Sequence, residues 1–356
     1  MNISARAMVV SILVLGTAAP ATLAQFDLTT QSKSKLAHFH LDGPISESPA
    51  SPNPFDLMFN PKKPMSFKDL LERFKKARDD DDVKAVILTV DNIPLGFAQL
   101  QELRQAIQQV RSADKEVYVY TEQMNTGRYL LLSAASRITM VPTGTLWLTG
   151  IFAESPYIRG LLDKLEIDVD IMQFEDYKSA GETFSRTGPS TYAEENVNWL
   201  LDGLYDSSVK MIADARQLSA EKVKALIDDG PYSSEQALKA GLIDAVQHRQ
   251  DFFADLKERY NDPEIDRDYG EDEGEQLPDD FFGLVKFFMN AMKGAVQKST
   301  APSVAIVYVE GTISEGHSDQ LGGGGGAYST PIRKALNKAA KDDTVKAVVV
   351  TGAGDN

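Results

Sequence analysis

Hydrophobic positions recur along this chain with two alternating periods. Phe67, Leu70, Leu71, Phe74 and Ala77 follow helical spacing, and Ser66 with Asp69 three places on makes a capping box, so the pattern predicts a helix over 66–78. The run Val83-Lys84-Ala85-Val86-Ile87-Leu88-Thr89-Val90 is almost continuously apolar, as expected of a parallel strand buried on both faces. Leu100, Leu103, Ile107 and Val110 lie on one face of a second helix. A strand over 117–121, a helix over 127–135 and a strand over 137–141 follow, closed by a turn at Pro142-Thr143-Gly144. Val169, Ile171 and Met172 read as a further buried strand, and residues 191–260 as mostly helical. Strands alternating with helices over short loops predict an α/β fold.

The pattern then repeats. Leu41-Asp42-Gly43-Pro44-Ile45-Ser46-Glu47 returns 268 residues later as Val309-Glu310-Gly311-Thr312-Ile313-Ser314-Glu315. Val83-Lys84-Ala85-Val86-Ile87-Leu88-Thr89 returns 262 residues later as Val345-Lys346-Ala347-Val348-Val349-Val350-Thr351. A period of this length is a duplicated domain and not a solenoid unit. The first copy occupies 25–260. Residues 261–300 hold an acidic linker and an apolar helix, and the second copy begins at 301 and is incomplete at 356. Both strands 83–90 and 345–350 are expected to be central in their sheets.

Composition narrows the classes. A chain of 356 residues exceeds one ordinary core, and 42% hydrophobic with 25% charged residues describes a globular protein. A net charge of −15 opposes nucleic acid and anionic lipid as general partners. Residues 1–24 have the form of an export signal: Arg6, a short apolar core Met8 to Leu15, and small residues ahead of Gln25, which places the body outside the cytoplasm. The absence of cysteine excludes disulfides, thiol catalysis and thiolate metal sites. His38 and His40 share a strand face without a third ligand, so no metal is expected, and His248 and His317 read as surface residues.

The linker over 261–280 carries ten Asp/Glu against one Arg and reads as a solvated spacer. Residues 281–296 are apolar but interrupted by Lys286 and Lys293. They are too short to span a bilayer comfortably, which favours packing between the repeats over contact with a membrane surface. Gly322 to Gly326 lacks the Gly-Lys-Ser/Thr of a phosphate loop and reads as a flexible loop. No cofactor is expected.

Candidate chemistry centres on Lys178, in Phe174-Glu175-Asp176-Tyr177-Lys178-Ser179-Ala180-Gly181. A lysine at a strand exit beside small residues can be desolvated, and burial favours the neutral amine that a general base needs. An exposed loop lysine is the plain alternative.

Three segments carry a resemblance. Gly127-Arg128-Tyr129-Leu130-Leu131-Leu132-Ser133-Ala134-Ala135-Ser136-Arg137-Ile138, Tyr177-Lys178-Ser179-Ala180, and Glu235-Gln236-Ala237 leading to Gly241-Leu242-Ile243-Asp244 together resemble the signal peptide peptidase A (protease IV) family in its long two-repeat form. The resemblance covers most of 36–356. It implies a crotonase-like (ClpP/crotonase) α/β fold, tandem duplicated, and a serine endopeptidase with a Ser–Lys dyad that cleaves apolar peptides such as released signal peptides. It also implies a ring- or bowl-shaped homo-oligomer; the export signal places the site of action in the periplasm or on the extracytoplasmic face of the membrane, with membrane-surface association left open. Lys178 is then the general base. The family's serine lies in a V-x-S-P-G-G-S segment after the buried strand of the second repeat. Here that strand is followed by Thr351-Gly352-Ala353-Gly354-Asp355-Asn356, and the matching turn of the first repeat, Asp91-Asn92-Ile93-Pro94-Leu95-Gly96, has no serine. No nucleophile serine is identified. The chain therefore reads as C-terminally truncated and inactive alone, with Ser179 assigned a local backbone hydrogen bond.

Two other functions stay open. One is a non-catalytic scaffold or interaction protein that keeps the fold. The other is a crotonase-type acyl-CoA enzyme, which the export signal argues against.

Overall fold

The computed structural model describes residues 34–47, 65–271, 283, 301–314 and 326–353, all within one compact unit, Lys33–Asn356. Four parallel strands form its centre: β1 (Lys35–Leu41), β2 (Val83–Val90), β3 (Glu116–Asn125) and β4 (Arg137–Trp147). The crossovers carry α1 (Phe67–Asp79), α2 (Phe97–Ser112) and α3 (Thr126–Leu132). This is the α/β class the sequence pattern predicts.

After β4 the chain leaves the sheet. It forms α4 (Arg159–Lys164), a 3-10 turn over Ser179–Gly181, α5 (Glu182–Ser185), α6 (Thr191–Arg216) and α7 (Ala220–Asp229). It then returns through β5 (Tyr232–Ser233), α8 (Ser234–Lys239), β6 (Ala245–Val246), α9 (Arg249–Arg259) and β7 (Glu264–Asp266). The sheet order is β5-β4-β3-β2-β1-β7, with β6 also on β4. Only the β4–β5 pairing is antiparallel.

Strand alternation sorts the core into two layers. Phe39, Val86 and Leu88 face α1 and α2, where they meet Phe67, Leu70, Phe74 and Leu103. Phe39 and Phe74 stack with centroids 4.5 Å apart. Leu36, Ala85, Ile87, Tyr118 and Tyr120 face α9 and meet Phe252 and Leu256. Each such side chain contributes about 1.5–3 kcal/mol by leaving water. The predicted capping box is formed: the Asp69 amide donates to Ser66 Oγ at 3.2 Å and the Ser66 amide to Asp69 Oδ2 at 3.1 Å.

Two expectations about local structure are corrected. Pro142-Thr143-Gly144 is not the end of a strand, because β4 runs on to Trp147. Thr121 pairs with Met140 and Gln123 with Thr145, so the extra residues of β4 are taken up in a bulge at this point. A side chain at Gly144 would place its Cβ 2.6 Å from the Glu122 carbonyl oxygen and 2.9 Å from Ser234 Oγ.

Nor is the acidic linker a spacer throughout. Glu264–Asp266 forms β7 on the edge of β1, and Tyr269 is buried against α1. Arg73 Nε donates to the Tyr269 carbonyl at 2.8 Å, and the Arg73 guanidinium pairs with Glu271 at 3.5 Å. The high charge density conceals Ile265 and Tyr269, which bind the segment down.

Beyond the linker, β8 (Ser303–Glu310) pairs in parallel with β11 (Val345–Ala353). Between them come β9 (Thr312–Ser314), β10 (Gly326–Tyr328) and α10 (Ser329–Ala340). Ser303 pairs with Val345 and Val304 with Ala347; in the first copy Lys35 pairs with Val83 and Leu36 with Ala85. The pairs, and the irregularity after the first of them, recur at the sequence offsets of the repeat. β2 is central as expected. β11 is not, since among the described residues it pairs only with β8 and Val348, Val349 and Val350 are exposed. Residues 1–24, read above as an expected export signal, His317, the stretch 281–296 apart from Gly283, and the glycine run up to 325 lie outside the described residues.

Candidate active site

Lys178 lies on an arm that runs from the end of β4 through residues 149–190 and on into the exposed N-terminal half of α6. The buried strand expected at Val169, Ile171 and Met172 is absent: residues 167–174 are neither strand nor helix, and Met172 and Phe174 are 83% and 73% exposed. These side chains are apolar, as a strand would need. Here no sheet edge receives them.

The turn around Lys178 is nonetheless held. Its amide donates to the Glu175 carbonyl at 3.3 Å, and Glu175 sits at φ +68°. The ring of Tyr177 meets Tyr192 of α6 edge-on at 5.3 Å, and its hydroxyl donates to Glu195 Oε2 at 2.9 Å. On the other side Glu182 closes a clasp, accepting from the Ser190 amide at 2.8 Å and the Ser190 hydroxyl at 2.5 Å. These hydrogen bonds hold the Glu182 carboxyl below the usual carboxylate range. Gly181 fits closely over Ile171, where a Cβ would come within 2.5 Å of Ile171 Cγ2. Tyr177 and Glu182, flanking Lys178 in sequence, therefore have fixed backbone positions on a common helix start. The lysine itself is exposed, as are Tyr177 and Phe184, so this chain by itself does not supply the desolvated setting expected of a general base there.

The arm exposes much apolar surface. Phe152, Trp199 and Leu200 are 83%, 76% and 56% exposed, and Leu161, Leu165 and Ile167 are exposed as well. A soluble domain rarely leaves so many large apolar side chains uncovered in one stretch unless they meet a partner.

The root of the arm is anchored by residues the sequence did not single out for a role. The C-terminal half of α6 enters the core through Ser208, Val209 and Ile212. Buried Arg104 of α2 donates to the Leu130 carbonyl, to Ser133 Oγ at 2.8 Å and to the Met211 carbonyl at 2.7 Å, joining α2, α3 and α6. Arg216 grips Asp244 with two hydrogen bonds of 2.8 and 3.1 Å, and Asp244 Oδ2 also accepts from the Ile138 amide at 2.8 Å. Buried Tyr129 donates to the Leu242 carbonyl at 2.9 Å. The signal for these was present in part, since Tyr129 and Asp244 fall in the segments that carry the family resemblance.

Among the described residues, cavities lie away from this arm. One of about 530 Å³ sits between α1 and α2 and the β8–β11 pair, with Phe67, Leu71, Ile306, Tyr308 and Val349 among its walls and no residue of the arm. A smaller one of about 150 Å³ lies at the C-terminal ends of β2 and β3, lined by Ile93, Pro94, Leu95, Leu100 and Leu131 with Asn125 and Arg128. The Asp91 to Gly96 turn borders it, and none of its lining residues is a serine, threonine or cysteine. Among the described residues no group of three or more His, Asp or Glu is placed to hold a metal ion. No described helix is long and apolar enough to cross a membrane.

Residues 109–261 match the family model of Peptidase family S49. The chain is 26% identical over 295 residues to "Protease 4" of Haemophilus influenzae, a match that covers 82% of this chain and 46% of that protein. It is 28% identical over 195 residues to "Serine protease SPPA, chloroplastic" of Arabidopsis thaliana, covering 55% of this chain and 29% of that one. The chain thus spans less than half the length of these relatives. Among solved structures, a variant of the 1510-N membrane-bound stomatin-specific protease is similar with 14% identity and a TM-score of 0.34, covering 62% of this chain and 82% of that one.

Proposed function

We propose, from the premise that residues 109–261 are a segment of peptidase family S49, that this chain supplies the general-base lysine of a signal-peptide-peptidase-type serine protease on a crotonase-like α/β fold. The observation that carries the reading is the Lys178 turn. It lies within the matched segment, between Tyr177 bonded to Glu195 and Glu182 clasped on Ser190. Such a turn presents an amine from a defined position, the first requirement of a base.

The base also needs a dry surrounding, a nucleophile and an oxyanion site. We assign the first to a second copy of the chain, which would cover the apolar arm and desolvate Lys178 in a homo-oligomer. The nucleophile is a serine of a Ser-Pro-Gly-Gly-Ser turn following β11. The 356 residues contain no such element, and residues 354–356 lie outside the described residues. In the reaction Lys178 Nζ takes the proton of the serine hydroxyl as it attacks the peptide carbonyl, then returns it to the leaving amine. Extended apolar peptides, including spent signal peptides, are the substrates this reading implies, with the acting site on the extracytoplasmic side. The first α/β copy, expected to end near 260, runs on through β7 and Tyr269, and residues 301 onward begin the second.

A non-catalytic interaction role is the second reading, favoured by the exposure of Lys178 and of the arm. The test is hydrolysis of a fluorogenic apolar peptide by the 356-residue chain and by Lys178→Ala. The proposal expects no turnover from either. Turnover that Lys178→Ala abolishes would reveal a nucleophile within these residues, with Ser179 the first to replace; turnover that survives it would remove Lys178 from the chemistry.

A further inference from the structure

Four polar side chains stand in line at the C-terminal ends of β1 and β2, on the face covered by α9. His38 and His40 are two apart on β1, so the pleat turns both to that face, and Thr89 of β2 is the register partner of His40. Thr89 Oγ1 lies 2.9 Å from His38 Nε2 and 3.0 Å from His40 Nδ1. His40 Nε2 is 3.6 Å from Asp91 Oδ2. His38 and Thr89 are 4% and 2% exposed, whereas the side chains of His40 and Asp91 are about half exposed, so the line runs from the core to solvent. The remaining ring nitrogen, His38 Nδ1, is buried and has no hydrogen-bond partner.

That orphan nitrogen fixes the direction of the line. A proton on His38 Nδ1 would be a buried donor without an acceptor, the costlier way to leave a polar group unmet. With the proton on Nε2, every other group is matched, because a hydroxyl can accept one hydrogen bond and donate another. We propose that His38, Thr89, His40 and Asp91 form a proton-ordered relay that acts as an acid-responsive latch between the sheet and α9. In the neutral state His38 Nε2–H donates to Thr89 Oγ1, Thr89 O–H donates to His40 Nδ1, and His40 Nε2–H faces the Asp91 carboxylate.

Acid undoes this order by a proton taken from solvent. It can enter His38 only at Nδ1, where it creates a buried cation. The groups facing that cation are His40 on β1, Arg249 on α9 and Arg267 just beyond β7, with Asp91 at the far end of the line. Phe253 of α9 closes the site edge-on at 5.9 Å. Burial, then the charges of Arg267, Arg249 and His40, pull His38 down to about 4. Separation of α9 and the Arg267 segment from the sheet relieves the repulsion and lets water reach the ring.

The full chain has four histidines, so imidazole nitrogen resonances of a 15N-histidine-labelled sample are few enough to assign. At pH 7.5 His38 is expected as the pure Nε2–H tautomer and His40 as Nε2–H with Nδ1 accepting. Amide exchange in α9, corrected for intrinsic rate, should then accelerate by up to about tenfold per pH unit between pH 6.5 and 4, and His38→Phe should remove that dependence. A His38 proton on Nδ1 at pH 7.5, or α9 exchange with the same pH dependence in wild type and His38→Phe, would overturn the latch. The tautomer measurement needs no variant, so it decides even if His38→Phe fails to fold.

Discussion

Arg216 and Asp244 are joined by a two-pronged ion pair that fixes the end of α6 to the turn entering β6. The bonds measure 2.8 and 3.1 Å, and Arg216 Nε also donates to the Gly241 carbonyl at 2.9 Å. Because Asp244 simultaneously receives the Ile138 amide, one carboxylate connects the root of the arm to the first residues of β4. The arm that bears Lys178 therefore grows from a rigid base.

Replacing that carboxylate should be costly. In Asp244→Ala the Nη1 and Nη2 groups of a largely buried guanidinium and the Ile138 amide lose their acceptor, which predicts a loss of roughly 2–4 kcal/mol. Asp244→Asn keeps one acceptor and should lose less. Urea titration checks this as a lower midpoint at unchanged slope. A loss below about 0.5 kcal/mol for Asp244→Ala would mean that the pair is merely superficial.

The bulge in β4 predicts intolerance at Gly144. A methyl group there meets the Glu122 carbonyl, which is backbone and cannot swing aside. Gly144→Ala should destabilise by about 1–3 kcal/mol, and Gly144→Val by more. Thermal denaturation of both variants measures it, and equal Tm values would show that the bulge relaxes freely.

The uncovered apolar arm predicts self-association. Sedimentation of the wild-type chain should show oligomers, and the double replacement Phe152→Ser with Trp199→Ser should shift it toward monomer without lowering Tm, since both side chains are exposed in the single chain. A monomeric wild type at tens of micromolar would leave Lys178 without the cover assigned to it.

Stability should also fall in mild acid because of His38. Its folded value of about 4 lies below the unfolded value of 6.5, so the unfolded chain binds the extra proton first. The contribution is intact above pH 6.5 and is lost progressively as the pH falls to 4, by at most about 3 kcal/mol. Urea midpoints across that range, in wild type and His38→Phe, measure it; parallel curves would contradict the assignment.

The sequence made the sheet legible because burial leaves a plain signature there. Val83 to Val90 is buried except at Lys84, and Ser66 with Asp69 declares a helix start whatever lies around it. The arm was not legible for the same physical reason. Val169, Ile171 and Met172 are apolar whether a sheet edge or another molecule covers them, and composition does not record which. Pro142 and Gly144 suggest a turn, yet a bulge uses the same residues and lets the strand continue. In the linker, Ile265 and Tyr269 are two apolar anchors among many charges, too few to register as a pattern but enough to hold an edge strand. Of the candidate site, the sequence proposes Lys178 beside its small neighbours, and the structure places that lysine exposed on the arm and not at a buried strand exit. The Glu182–Ser190 clasp and the Arg104 and Arg216 anchors depend on contacts between elements distant in sequence.

The central claim is that Lys178 is the base of a serine peptidase. The most direct measurement is kcat/KM for a fluorogenic apolar peptide, using a form of the protein that carries a Ser-Pro-Gly-Gly-Ser turn after β11, with Lys178 intact and as Lys178→Ala. Removal of one member of a catalytic set costs on the order of 10⁴-fold or more. A fall of that size, with Tm unchanged because the side chain is exposed, is the predicted result. Cleavage by the Lys178→Ala form within a few-fold of wild type would contradict it.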